Sequence, residues 1–570
     1  MRRDDDGSKS IVGELFSEVV LIADQTREVL VRARRSGPDR RLLKGKLHRP
    51  IALTNLINRP TASVKAREIS LTEKQVSRRD WVKYVGGAVV GAAVAGGAYA
   101  LYQSGQAPAG PAGPVTVTQT AAPVTVTATG ATTAAPAMSL TDWLKAMGKK
   151  YSGTKLVMTS EATPPSRAFS SLAETEFTPF TGITVAWELT PLEHVLEKVT
   201  MDAATCTGMY DLYYLDQAWD ARFANDTIDI RDFWKEKPEL TIPDYRFDDF
   251  LPGMIQHNSM YKGKMVGPPC DCPILITSYR KDVFEKEGLS FPKNLDEYME
   301  LVKKMTAKYA PEMYGTTGQQ KGGHYSLYCD WTSIIGVYGQ GGSQSRSDGG
   351  CAFGDPESVA GLDYMTELLH QMPPGATTWD WSGCAESVAA GKAVMVTLWG
   401  EFNPLYDTPG KSQVIDLMEP HIPPMADKIR PAADCGYDET PQICHQGGSK
   451  YAVARCSKNQ EAAHVFLQWV TSWDVQLRGA IMGGGAAGVR RSTYTDPRAL
   501  AEKTCRHFPV QLEAIEKWMS TEPHNPWQPE VADLVSHEIA NWYGGKYKTS
   551  KAALDQMQSM IHGVTGFAGG

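Results

Sequence analysis

The residues that could do chemistry here are aromatic and acidic, and they stand where apolar runs end. Asp216-Gln217-Ala218-Trp219 closes one run, Asp271 sits in the Pro268–Pro273 segment, and Tyr279 closes the run that follows. Trp331 falls in a glycine-rich stretch, Trp381 follows Trp379-Asp380, and Trp399-Gly400-Glu401 ends a further run. Thr163, Pro164 and Ser166 lie in the loop 161–166, ahead of a helix start, where backbone N–H groups can meet ligand oxygens. Gly447-Gly448 lets backbone approach closely. Together these types suit a polyhydroxylated ring: aromatic plates cover its apolar faces, and carboxylates and amides take its hydroxyls. Each has a plainer reading. Tryptophans pack, Asp216 caps the next helix, Ser166 caps its own helix, and Arg490 and Arg491 pair with acids of the same domain.

Carboxylates flanking a sugar could also hydrolyse it. The chain nevertheless carries no G-x-S-x-G turn, no H-E-x-x-H and no P-loop. Its 12 histidines form no pair at helical ligand spacing, and Cys270-x-Cys272 lacks the two-residue gap of a zinc knuckle. No catalytic residue, metal or cofactor is expected.

The elements that position these groups occupy the later part of the 570 residues. Residues 1–83 hold 19 Lys/Arg and 11 Asp/Glu, a balance of +8; with a net charge of −7, the remainder holds −15. Such an acidic remainder argues against nucleic acid as a partner. Residues 1–76 read as a disordered extension or a mis-called start. Ser77-Arg78-Arg79-Asp80-Trp81-Val82-Lys83 resembles a twin-arginine export signal, and Tyr84–Tyr102 is a Gly/Ala-rich segment without charge. That segment is either cleaved after Ala100 or kept as a membrane anchor, being just long enough to span. Residues 103–138, rich in Thr, Pro and Ala, cannot build a core and read as a stalk, which favours the anchor. All 10 cysteines lie at 206 or beyond, which suggests disulfides in an oxidising compartment, with Cys435–Cys444 the pair that closes a short loop.

From residue 155 strands alternate with helices, as in Lys155–Thr159, Ser166–Thr178 and Ile183–Glu188, which implies parallel pairing and ligands past the carboxyl ends of the strands. Tyr261-Lys262-Gly263-Lys264 reads as a hairpin, Ile274–Tyr279 as a buried strand, Arg280–Gly288 as a helix stopped by its glycine, and Leu295–Lys308 as a second helix. This order resembles the signature of extracellular solute-binding proteins of ABC importers, the family that includes maltose-binding protein. So do Tyr210–Asp216, Asp355–Met372, Ser387–Leu398, Gln446–Val453 and Gly488–Thr493, and the resemblance covers about 154–560. Pro268-Pro269-Cys270-Asp271-Cys272 departs from the commoner single proline.

The resemblance implies an α/β, two-lobe type II periplasmic-binding-protein fold, each lobe a mostly parallel sheet flanked by helices. The first lobe would comprise 139–274 plus 418–476 and the second 275–417 plus 477–570, with crossings near 272–276, 416–422 and 476–490. Trp331 and Trp399 match cleft-lining positions. The implied function is capture of a carbohydrate-like solute, a sugar or polyol, and its delivery to ABC permease subunits by lobe closure. The alternatives are an extracellular carbohydrate-active enzyme and a stalked adhesion protein.

Overall fold

The computed structural model describes residues 138–337, 348–424, 444–483, 485 and 488–568. The arginine pair, the apolar segment, nearly all of the stalk and Cys435 lie outside the described residues. Among the described residues no helix is long and apolar enough to cross a membrane.

Two sheets organise the chain. β1 (Lys155–Glu161), β2 (Thr184–Thr190) and β3 (Leu212–Asp216) begin the first, with helices Pro164–Leu172 and Leu192–Thr205 following β1 and β2. β1 pairs in parallel with both neighbours, as the strand–helix alternation requires. A hairpin of β4 (Met260–Tyr261) and β5 (Lys264–Met265) turns at Lys262 and Gly263, whose φ values of 46° and 81° are the left-handed pair that such a turn demands. β6 (Pro269–Asp271) returns to the first sheet, and β7 (Leu275–Arg280) opens the second, so the chain crosses at 272–274.

The second sheet adds β8 (Tyr314–Thr317), β9 (Ala393–Trp399) and β10 (Met418–His421) in the order β10-β7-β9-β8. β11 (Cys444–His445) pairs with β13 (Met519–Ser520) as a separate ribbon, and β12 (Ser449–Val453) completes the first sheet in the order β2-β1-β3-β12-β6. Strands entered after a crossing run antiparallel: β12 against β3 and β6, β7 against β9 and β10.

Each sheet has its own core. Trp143, Leu156, Met158, Phe177, Phe466 and Trp469 are buried around the first, with Phe177 5.1 Å from both Phe466 and Trp469. Val302, Val394 and Met395 pack against the second. A four-helix group beside it buries Trp331, Phe353, Val535 and Leu554.

Three boundaries differ from expectation. β10 hydrogen-bonds β7, so 418–421 belong to the second sheet, not the first lobe. Leu477, Val489, Tyr494, Phe508 and Ile515 are buried in the first core, so the last crossing falls at 519–527 rather than 476–490. Burial of these apolar side chains holds the stretch to the first half, and Arg490 adds to it, stacking on Phe250 at 3.8 Å and donating to Thr471 O at 2.8 Å. Thr163, not Ser166, caps the helix after β1, accepting from Ser166 N at 3.3 Å while Pro164 fills the first helical position.

The disulfide joins Cys206 to Cys456, tying the end of helix Leu192–Thr205 to the turn after β12. Cys444 is instead a free buried thiol, carried by β11 into the first core. Cys270 and Cys272 are also free, so no bridge constrains the first crossing.

Candidate functional site

Parallel β1 and β3 deliver their last residues, Glu161 and Asp216, to one edge of the first sheet. The strand register sets Asp216 opposite Ser449 and Ser449 opposite Asp271, a row across β3, β12 and β6. The second sheet brings Trp399 to the same place. It pairs with Leu275 just past the first crossing, and Gly400 N donates to Ile274 O at 2.9 Å. Glu401 follows. Glu522 arrives from the turn after β13, and the Tyr325 hydroxyl joins the halves, donating to Glu522 Oε1 and lying 3.5 Å from Asp216 Oδ1.

Five carboxyls thus crowd one junction, and every one is held above the usual carboxylate range. Burial is the main cause throughout. For Glu161 the charges of Asp271, Glu401 and Asp216 add to it. Asp216 is pushed to about 7 and Asp271 to about 6, the latter eased by Ser449 N at 2.8 Å and the Tyr214 hydroxyl at 3.1 Å. Glu401 reaches about 8 beside Asp271, and Glu522 about 8 beside Asp216. Lys450 is buried alongside, but its Nζ is held 2.6 Å from Asp220 Oδ1 and donates to the backbone of Asp216. Glu401 Oε2 and Gln446 Nε2 are buried with no hydrogen-bond partner among the described residues. The junction can therefore exchange hydrogen bonds with hydroxyls or amines, and the ammonium of Lys450, which could meet a phosphate, is already held by Asp220.

Of the anticipated residues, Asp216, Asp271, Trp399, Glu401, Gly447 and Gly448 come together. A Cβ on Gly447 would lie 2.8 Å from the Trp399 ring, and one on Gly448 2.5 Å from Asp271 O, so both glycines are there for close approach. Thr163, Pro164 and Ser166 form the loop just past Glu161. Ser166 Oγ is engaged by Ser160 at 3.1 Å and by Thr163 at 3.0 Å, which braces that loop.

Four residues lie elsewhere. Trp219 packs on Phe223 in the first core. Trp331 is in no loop: the apolar helix Tyr325–Val337 carries it inward to stack on Phe353. Tyr279 packs on Phe284 and Phe291, four positions along β7 from Leu275, hence about 13 Å from the junction end. Trp381 sits edge-on to His324 at the start of helix Trp381–Ala389.

Glu161, Tyr214, Tyr325 and Glu522 were not anticipated. Glu161 ends a strand, and the strand-end rule finds it. Glu522 carries no such signal. It also belongs, with Cys329 and His445, to a group whose ligating atoms all lie within 4.8 Å of one another.

Comparison with known proteins agrees with this architecture. The family model described as bacterial extracellular solute-binding protein matches residues 159–477. A "Probable amino-acid ABC transporter periplasmic-binding protein" of Sinorhizobium fredii is 23% identical over 425 residues, 74% of this chain and 91% of its own. The mannitol-binding protein of Pseudomonas aeruginosa is 24% identical over 363 residues, 60% and 74% of the two chains. Among solved structures, a solute-binding protein of Agrobacterium radiobacter in complex with ribitol superposes with a TM-score of 0.63 at 27% identity, covering 73% of this chain and 99% of that one. Maltose-bound MalE3 of T. maritima shares the fold, with a TM-score of 0.60 at 22% identity over 72% and 100%.

Proposed function

The chain belongs to the bacterial extracellular solute-binding proteins, ABC-importer components that bind and do not catalyse, and from that premise we propose that it captures a sugar or polyol between two lobes. The observation that carries this reading is the junction of Glu161, Asp216, Asp271 and Glu401 around Trp399, drawn from both sheets. Carboxyl oxygens accept hydrogen bonds from hydroxyls, and an indole covers a carbon face. The ribitol- and mannitol-binding relatives support the polyol class. Closure around such a ligand gains contacts from both halves at once, so the ligand selects the closed state that a permease would recognise.

The number of carboxyls favours a second ligand type, one carrying an amine. An amino sugar or amino alcohol suits the junction better than an amino acid, because Lys450 is already held by Asp220 and offers little to a ligand carboxylate. Ser77–Lys83 and Tyr84–Tyr102 are part of the same proposal: export by a twin-arginine route, with the apolar segment kept as an anchor behind the stalk.

Thermal shift and calorimetry against ribitol, mannitol, erythritol, maltose and their amino analogues test the reading. A ligand at 100 times its Kd should add about 2.7 kcal/mol. No shift with any polyol, sugar or amine would overturn it.

A further inference from the structure

Cys329, His445 and Glu522 come from three separated segments: helix Tyr325–Val337, β11 and the turn after β13. All three are buried, and their sulfur, imidazole nitrogen and carboxylate oxygen converge within 4.8 Å. Thiolate, imidazole and carboxylate are the donor set of zinc and its neighbours.

The orientation of these groups suits an ion. Thr332 Oγ1 lies 2.9 Å from Cys329 O and 2.8 Å from His445 Nδ1. The hydroxyl has one proton. Once that proton goes to the carbonyl, Nδ1–H donates to Oγ1, and Nε2 carries a lone pair. Nε2 faces Glu522 Oε1 at 3.5 Å, an arrangement that is repulsive unless a proton or cation lies between. Fixing one ring nitrogen so that the other can ligate is how metal-bound histidines are oriented.

The remaining partners hold the donors in place. Trp399 lies 5.7 Å from the His445 ring, Gln528 Nε2 donates to Glu522 Oε2 at 3.0 Å, and the pairing of β11 with β13 fixes His445 opposite Ser520, two residues before Glu522. One thiolate and one carboxylate balance a divalent charge, so the loaded group is neutral, as burial demands.

We propose that Cys329, His445 and Glu522 bind one divalent transition-metal ion of the zinc class where the two halves meet. Three protein ligands leave a fourth tetrahedral position for water or another donor. The proposal does not depend on which solute the junction takes.

Metal analysis and cobalt substitution test it. After incubation with zinc chloride and desalting, the protein should retain about one zinc per chain. Cobalt(II) in its place should give thiolate-to-cobalt charge-transfer absorption in the near ultraviolet. Cys329→Ser should abolish that band, whereas Cys270→Ser and Cys272→Ser should leave it. Thr332→Val, which keeps all three ligands, should weaken zinc binding about 10-fold or more. Circular dichroism checks that Cys329→Ser is folded; if it is not, Thr332→Val decides. Failure to retain zinc, a charge-transfer band that survives in folded Cys329→Ser, or unchanged affinity in Thr332→Val would each overturn the site. Solute binding by a protein that takes no metal would refute this inference and leave the proposed function standing.

Discussion

The protein buries charge in two contrasting ways. In the first half Arg490 is wholly enclosed, yet its Nη1 donates to Arg246 O at 2.7 Å, its Nε to Thr471 O at 2.8 Å, and its plane lies against Phe250. Asp249, 3.7 Å from it, is itself held by the Ser492 N–H and hydroxyl at 2.9 and 2.6 Å. At the junction of the halves five carboxyls sit together, each raised by burial and several by one another, and Lys450 is committed to Asp220. Arg490 has an acid and two carbonyls supplied by the fold itself, although its Nη2 is buried without a hydrogen-bond partner among the described residues. A cluster left unmatched costs stability and is suited to something supplied from outside.

The contrast can be broken most strongly at Arg490. Arg490→Ala should destabilise the protein by about 3–5 kcal/mol in urea unfolding, since it removes the counter-charge beside Asp249 and leaves two carbonyls without their donor. Ligand affinity in whatever protein stays folded should hold; a large loss of affinity would place Arg490 in the site. Replacing both Cys206 and Cys456 by alanine should cost about 2–4 kcal/mol, again without changing affinity.

Asp271→Asn should do the opposite. The amide oxygen can still accept from Ser449 N, and a like charge is removed, so ligand-free stability should stay level or rise while affinity drops by about 1.5–3 kcal/mol in calorimetry. Lower stability with unchanged affinity would move Asp271 to the structural side.

The pH dependence sharpens the same point. Asp216 at about 7 and Glu401 and Glu522 at about 8 sit above the value near 4 that they take unfolded. The native state therefore holds more protons than the unfolded chain, and stability must fall as pH rises through this range. His464 and His507, pushed down to about 3 by burial, act the other way, but only below their unfolded value near 6.5. From pH 6.5 to 8 the Tm of the protein free of solute and metal should therefore drop, by about 2–3 kcal/mol of stability per pH unit, and a saturating ligand should flatten the slope. A flat ligand-free profile would remove the cluster's special status. Smallest of all, Tyr279→Phe should leave affinity within about twofold, since its ring packs among aromatics far from the junction.

Local features were legible because local physics sets them. The hairpin at Lys262-Gly263, the helix stop at Gly288 and the strand ends at Asp216 and Trp399 follow from turn freedom, capping and periodicity within a few residues. Asp271 and the glycine pair were legible as well, since proline and glycine announce special backbone. Trp331 was misplaced because glycines flanking a segment say nothing of an apolar helix within it.

Other features arise only when distant segments meet. Glu522 reaches Asp216 because β13 pairs with β11 and Tyr325 spans the two, and no spacing along the chain encodes that. The same holds for the cysteine that Cys206 chooses, 250 residues away, and for the half that 477–515 joins. By itself the sequence determined which strands and helices form, their order and hence the family. Tertiary structure decided which carboxyls share one buried space, and with it their raised protonation, because desolvation and mutual repulsion depend on distances through space rather than along the chain.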